Sequence, residues 1–169
     1  MRLNRLLFTL MVGWMACCAM ARTNVVSISD FAIAPDSTVT VPVKLANQDT
    51  TRGLQFNLTL PPGLTCRQME LSTYIKRLRF VLNNTFKDDH HTVMIYQVGA
   101  GVIPPGCEAV LLMTLHADHG FTGGEITVWK CRGSTRDNKS INMDGDTVAV
   151  TVPMGAQGDT FMDAAPAGD

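Results

Sequence analysis

The sequence predicts an all-β domain in which two antiparallel sheets pack as a sandwich. Apolar and polar residues alternate with a period of two in many short segments between Asn24 and Val152. Turn-forming Gly, Pro, Asn and Asp residues separate these segments, and no convincing amphipathic helix interrupts them. Short strands joined by tight turns at this spacing are typical of β-sandwiches.

The first two strand segments lie near the start of the domain. They are "NVVSISDFAI" and "STVTVPVKLAN", and in the second Val39, Val41, Val43 and Leu45 alternate with other residues. Pro42 has no N–H to donate to a sheet, so it predicts an edge or a bulge at its position.

The third strand, in "RGLQFNLTLPPGLTC", has the clearest alternation. One side carries Leu54, Phe56, Leu58 and Leu60, and the other carries Gln55, Asn57 and Thr59. This pattern predicts one dry face in the core and one wet face toward solvent. The Pro61–Pro62 pair and Gly63 then end the strand and turn the chain.

The rest of the domain continues as strands. Within the mixed stretch from Thr65 to Phe86, "RLRFVLNNTF" is the best strand candidate, and "RQMELSTYIKRL" is the one segment that suits a turn or two of helix. The segments "HTVMIYQVG", "EAVLLMTLHA", "GEITVWKCRG" and "DTVAVTV" follow as strands. The dense "AVLLMTL" predicts a strand buried between two sheets, and Asp144-Gly145 predicts a hairpin turn before the last strand.

Residues 1–21 are predicted to be a secretory signal peptide. Arg2 and Arg5 precede a short apolar run, and Ala19-Met20-Ala21 forms a cleavage signature. A lipoprotein signal that uses Cys17 or Cys18 is the alternative, but "WMAC" matches the usual pattern poorly. We therefore expect an exported domain at residues 22–153, located outside the cell, on its surface or in a periplasm. Residues 154–169 are expected to form a disordered tail or a linker.

Charge and cysteine content narrow the classes of function. Removal of Arg2 and Arg5 from 14 basic and 15 acidic residues leaves a net charge of −3, which disfavours a nucleic-acid partner. No segment of the remaining chain is long and apolar enough to span a membrane. Cys66, Cys107 and Cys131 are odd in number, so at least one of them lacks an intrachain disulfide partner, and we expect two to be buried thiols.

No pattern in the sequence predicts catalysis, a metal site or a cofactor. The chain has no G-x-S-x-G motif, and the cysteine spacings match no zinc motif. Adjacent His90 and His91 would point to opposite faces of a strand. The loop "NMDGDT" lacks the bidentate Glu that an EF-hand requires, which leaves a single weak calcium site formed by turn carboxylates as the alternative. We therefore expect a protein that is not an enzyme.

Four residues are candidates for a binding site. Gln55, Asn57 and Thr59 form the wet face of the third strand, and Trp129 projects opposite Ile126 and Val128. Plain solvent exposure of the polar residues and packing of a lone Trp are the alternatives.

The order of these segments resembles that of cohesin domains. The likeness lies in "STVTVPVKLANQDTTRGLQFNLTLPPGLT" and in "CEAVLLMTLHADHGFTGGEITVWKCRGSTRDNKSINMDGDTVAVTV", and it spans about Val25 to Val152. It implies a jelly-roll sandwich of about nine strands that binds dockerin domains through a sheet face including the outward residues of the third strand. Gly53 and Gln55 stand where cellulosomal members tend to have Asn or Asp, and Leu60-Pro61-Pro62 replaces their usual Tyr-Asp-Pro.

Two hypotheses follow from the residues and the resemblance. The first is a secreted, non-catalytic module that binds another exported protein through a sheet face. The alternative is a carbohydrate-binding module in which Trp129 shares an exposed plane with Tyr96 or Tyr74 and binds a polysaccharide.

Overall fold

The computed structural model describes residues 24–154, and in this range eleven strands and one short helix form two sheets. The elements are β1 (Val25–Ile28), β2 (Phe31–Ala32), β3 (Thr38–Asn47), β4 (Gly53–Thr59), β5 (Leu64–Leu71), α1 (Thr73–Arg77), β6 (Phe80–Lys87), β7 (His90–Gln97), β8 (Gly106–Ala117), β9 (Gly124–Ser134), β10 (Ser140–Asn142) and β11 (Asp146–Thr151). The predicted signal peptide, residues 1–21, and residues 155–169 of the predicted tail lie outside the described residues.

The two sheets form the predicted antiparallel sandwich. The small sheet has the strand order β1-β3-β8-β5, and the large sheet has the order β2-β11-β9-β4-β7-β6, with β10 also paired to β9. Short β2 runs parallel to β11, and the other paired strands are antiparallel. The fold class is confirmed, and the very short β2 and β10 account for the excess over about nine strands.

Alternation along the strands builds the core between the sheets. Phe56 and Leu58 of β4 are fully buried, and so are alternate residues of β8: Leu111, Met113, Leu115 and Ala117. The prediction that β8 is buried on both faces is wrong, because its outward residues Leu112, Thr114 and His116 are partly exposed. The small sheet thus covers the core with one face and meets solvent with the other.

Residues 64–79 contain a strand that the sequence did not single out. β5 pairs with β8 across a register shift between Cys66 and Gln68, so its side chains do not alternate regularly. Helix α1 follows as a single short turn. Its N-cap is Ser72, whose Oγ accepts a hydrogen bond of 3.3 Å from the N–H of Ile75, and Ile75 is fully buried.

Pro42 and the Asp144-Gly145 pair mark irregular backbone. Pro42 lies just beyond the end of β1 and beside a register shift in β3, as an edge or bulge position requires.

The predicted hairpin at Asp144-Gly145 is wrong. β10 and β11 lie one after the other along β9 and antiparallel to it, and the chain turns earlier, between β9 and β10. At Asp144 the backbone leaves β9 and exchanges hydrogen bonds with Asn24 and Val26, which ties the large sheet to β1.

An exposed ion pair joins two loops of the small sheet. His119 Nδ1 lies 2.6 Å from Asp36 Oδ2, and this hydrogen bond, with the charge of Asp36, raises the pKa of His119. We expect His119 to titrate above the ordinary histidine value of about 6.5. Its contribution to stability is therefore complete below that value and disappears as the pH rises through the pKa of the folded state.

A histidine NMR titration measures the pKa of His119 directly. Asp36→Asn should lower the pKa of His119 toward its ordinary value. It should leave His91 unchanged, whose pKa is lowered first by burial and then by neighbouring His90. An unaltered His119 titration in Asp36→Asn would show that the pair does not form in solution.

Candidate functional site

Four strands of the large sheet place the predicted binding residues on one outer surface. The outward positions of β6, β7, β4 and β9 form four cross-strand rows, which together we call the four-strand face. The rows are Val81–Tyr96–Gly53–Ser134, Asn83–Met94–Gln55–Arg132, Thr85–Thr92–Asn57–Trp129 and Lys87–His90–Thr59–Thr127. Gln55, Asn57, Thr59 and Trp129 therefore lie together in space, although 70 residues separate Thr59 from Trp129.

Asn57 lies on the predicted wet side of β4 but is not exposed. Only 6% of its surface is accessible, because the large side chain of Trp129 occupies the neighbouring position on β9. The indole Nε1–H of Trp129 donates a 3.1 Å hydrogen bond to Thr59 Oγ1, so the ring extends along β4 beside Asn57. Asn57 Oδ1 in turn accepts from the hydroxyl of Thr92 at 3.2 Å. The prediction that Asn57 faces solvent is therefore wrong, and its amide oxygen is engaged within the sheet.

A β-bulge in β9 controls the position of Trp129. Gln55 and Asn57 are two residues apart on β4, but their partners Arg132 and Trp129 are three residues apart on β9, so β9 contains one extra residue. Within this stretch Lys130 has a φ of 51°, in the left-handed region. Strict alternation from Val128 would turn Lys130 into the core. The extra residue turns it outward and returns Cys131 to the inner face, where it is buried.

The ring of Trp129 is not a bare platform. The Lys130 ammonium lies 4.7 Å from its centroid, and the His90 ring lies 5.2 Å away at a tilt of 58°. Trp129 is half-buried on the outer surface, as its position opposite Ile126 and Val128 predicts. Its contacts brace β9 against β4 and β7 and leave less of its ring for a ligand.

A depression of about 350 Å³ opens at the other end of the four-strand face. Gly53 and adjacent backbone form its floor, Met94 and Tyr96 form one wall, and Arg132 and Ser134 form the other. Gln55 stands at its edge and is exposed, as predicted. The sequence did not single out Met94 or Arg132, because only the register between strands brings them next to Gln55.

The charge of the four-strand face is positive. None of its sixteen positions carries an acidic residue, whereas Lys87, Arg132 and, through the bulge, Lys130 supply cations. The Lys87 Nζ atom lies 3.7 Å from Asp88 Oδ2, and both side chains are exposed. Within residues 24–154 Arg132 makes no ion pair. Its guanidinium is therefore available to an anionic group from outside.

The remaining reactive side chains of residues 24–154 form no metal centre, since no three His, Cys, Asp or Glu side chains gather as metal ligands would. Cys66, Cys107 and Cys131 form no disulfide with one another. Burial, and then the charge of Asp144, raises the pKa of Cys131 to about 11, which keeps this thiol protonated and poorly nucleophilic at neutral pH.

A second cavity of about 440 Å³ lies at the open side of the sandwich, between the β5 and β6 edges. Leu60, Leu64, Cys66, Phe86 and His91 line it. Burial raises the pKa of the Cys66 thiol and lowers that of His91. Both groups are therefore held toward their neutral forms: the thiol stays protonated and weakly nucleophilic, and the imidazole stays uncharged.

Comparison with known proteins identifies the architecture. No protein-family model and no curated protein sequence matches the chain. Solved cohesin structures match it. A non-cellulosomal cohesin from the archaeon Archaeoglobus fulgidus superposes with a TM-score of 0.64 at 14% identity, over 76% of this chain and 91% of that one.

Two bacterial cohesins are similar to the same degree. The sixth cohesin of scaffoldin B from Acetivibrio cellulolyticus, solved with a mutant Cel5 dockerin, gives a TM-score of 0.65 at 14% identity, over 78% of this chain and 99% of that one. A cohesin module of a family 33 glycoside hydrolase from Clostridium perfringens gives 0.63 at 7% identity, over 78% and 98%. These structural matches show that the chain has a cohesin-like fold.

A separate observation concerns the helices. Residues 24–154 contain no helix long and apolar enough to cross a membrane.

Proposed function

We propose that this cohesin-like domain is a non-catalytic module that binds another protein through its four-strand face. The observation that carries the proposal is the surface of that face. Val81, Met94 and Tyr96 are each about 40% exposed there. They lie beside exposed Gln55 and beside Arg132, which forms no ion pair with another described residue. Tyr, Met and Arg are enriched in protein interfaces, where aromatic and Arg side chains contribute most of the binding energy.

A dockerin-bearing protein is the first partner class to test. The A. cellulolyticus cohesin was solved with a dockerin, and its fold is that of this chain. Gly53 and Gln55, however, differ from the residues that cellulosomal cohesins tend to have at the start of this strand. We therefore expect a partner surface that differs from those of cellulosomal dockerins.

Carbohydrate binding has weaker support. The ring of Trp129 is approached by Lys130 and His90. Tyr96 lies two rows away on β7, roughly 13 Å along the strand, and Tyr74 is on α1, outside the four-strand face. A shared aromatic plane would require these rings to lie close together, and their positions do not favour it.

We place this binding outside the cytoplasm. The proposal rests on residues 1–21, whose charged start, apolar run and small-residue end fit a cleaved signal peptide. The partner would then also be an exported protein.

The test is affinity capture from the exported proteins of the source organism, with the full chain as bait. Gln55→Arg combined with Asn83→Arg adds bulk and charge to the four-strand face. Thr40→Arg combined with Thr114→Arg adds the same groups to the small sheet, where the two hydroxyls lie 3.2 Å apart. We expect one partner to bind the wild type and the small-sheet control, and to bind the face variant at least about tenfold more weakly.

Mass spectrometry of the captured material separates the hypotheses. A captured partner that contains a dockerin repeat supports the proposal that this domain binds a dockerin-bearing protein. Equal capture by all three baits overturns the proposed face, and capture of polysaccharide without protein favours the carbohydrate alternative.

A further inference from the structure

We propose that the depression at Gly53 is a specificity subsite that receives a large apolar side chain of the partner, with a partner carboxylate paired to Arg132. This inference rests on the proposed function and adds the chemistry of the partner segment. Its three supports are the shape of the depression, the apolar character of one wall and the charge of the other.

The shape depends on the missing side chain at Gly53. A Cβ atom there would lie 2.7 Å from Ser134 Oγ and would begin to fill the space between Tyr96 and Ser134. Gly53 shows no left-handed φ, so its backbone conformation does not require glycine. The open space is therefore the structural consequence of this residue.

One wall of the depression suits an apolar group. Met94 is 40% and Tyr96 39% exposed, and Val81, at 40%, extends the same surface across to β6. Methionine is flexible and fills irregular gaps, and tyrosine offers a rigid apolar ring with a polar tip. A large aliphatic or aromatic side chain that enters here would bury exposed apolar surface of Met94 and Tyr96.

The opposite wall supplies an unpaired cation. Arg132 is exposed, forms no ion pair within residues 24–154 and follows Gln55 in its cross-strand row. None of the described residues that line the depression is acidic. A guanidinium binds a carboxylate in a bidentate geometry that also fixes its direction. The partner segment should therefore carry Asp or Glu close to its apolar side chain.

A display library of random peptides supplies the probe, with the immobilised full chain as target. We expect the selected peptides to combine a large apolar residue with a nearby acidic one. Gly53→Val, which fills the depression, and Arg132→Glu, which reverses its charge, should each weaken these peptides at least about tenfold. Selection on Arg132→Glu should favour Lys or Arg in place of the acidic residue.

Two control variants match these changes elsewhere on the surface. Ala149→Val places the same branched side chain on the outward side of β11, and Arg67→Glu reverses a charge on β5 of the other sheet. Both should keep peptide binding within about twofold of the wild type. Arg132→Glu changes only an exposed side chain, so it remains decisive if Gly53→Val folds poorly.

The outcomes separate this inference from the proposed function. If no peptide is selected, if selected peptides lack the apolar–acidic pairing, or if they bind the site variants and controls alike, the subsite is wrong. If a captured exported partner is lost with the Gln55 and Asn83 variant but binds Gly53→Val and Arg132→Glu normally, the face binds protein and the subsite is still wrong. A sugar that binds the wild type and is lost in Gly53→Val would assign the depression to carbohydrate instead.

Discussion

Replacing Phe56 with alanine is expected to lower the free energy of unfolding by about 3–5 kcal/mol. Phe56 lies in the middle of β4, between β7 and β9, and none of its surface is accessible. The substitution removes a ring from the core and leaves a cavity that two hydrogen-bonded neighbour strands keep from collapsing. Unfolding in urea, followed by far-UV circular dichroism, measures the change.

Gln55→Ala is the matched control for this experiment. The residue precedes Phe56 on the same strand and points to solvent. Its loss should change stability by no more than about 0.5 kcal/mol. Similar effects for the two substitutions would contradict the assignment of the inner and outer faces of β4.

Gly145→Ala should destabilise the domain by about 3 kcal/mol, the upper end of the usual cost of overpacking. A Cβ atom at this position would collide with the carbonyl oxygen of Val128 and lie 2.8 Å from its carbonyl carbon. Because these are backbone atoms, a change of rotamer cannot relieve the collision, and β11 must move away from β9. The free energy of unfolding in urea measures the destabilisation.

The same substitution should also disturb the four-strand face. The added Cβ would lie 3.3 Å from the Cα of Trp129, next to the bulge. We expect the NMR signal of the Trp129 indole N–H to shift as its hydrogen bond to Thr59 is strained. Gly106→Ala is the control, because apart from residue 106 and its two chain neighbours no described atom lies within 4 Å of the added Cβ. Equal stability of the two alanine variants would refute the close approach at Gly145.

The sandwich could be predicted because its strands obey a local rule. In β4 the inward residues are apolar at every second position, and the Pro61–Pro62 pair ends the strand. β5 escaped prediction because its register shift at Cys66 breaks the two-residue period. The prediction of a hairpin at Asp144-Gly145 was wrong. Glycine stands at position 145 where the backbone passes close to the backbone of Val128, and the chain does not reverse there.

The geometry of the candidate site could be predicted only in part, since it depends on cross-strand neighbours. Gln55 was placed correctly from the period of one strand. The burial of Asn57 depends on Trp129, which only the pairing of β4 with β9 brings beside it. One signal was available: Lys130 falls on an inward position by strict alternation, and a lysine there indicates a bulge.

The pairing of β3 with β8 also has a kinetic consequence. Thr38 lies beside His116, 78 residues later in the chain, and the N–H of Ala149 donates to the Asp30 carboxylate, 119 residues earlier. Refolding must close these long loops before the contacts stabilise the chain, so we expect it to take milliseconds to seconds. During synthesis the edge of β3 that pairs with β8 stays open until β8 has emerged, a period in which the nascent chain is prone to aggregate.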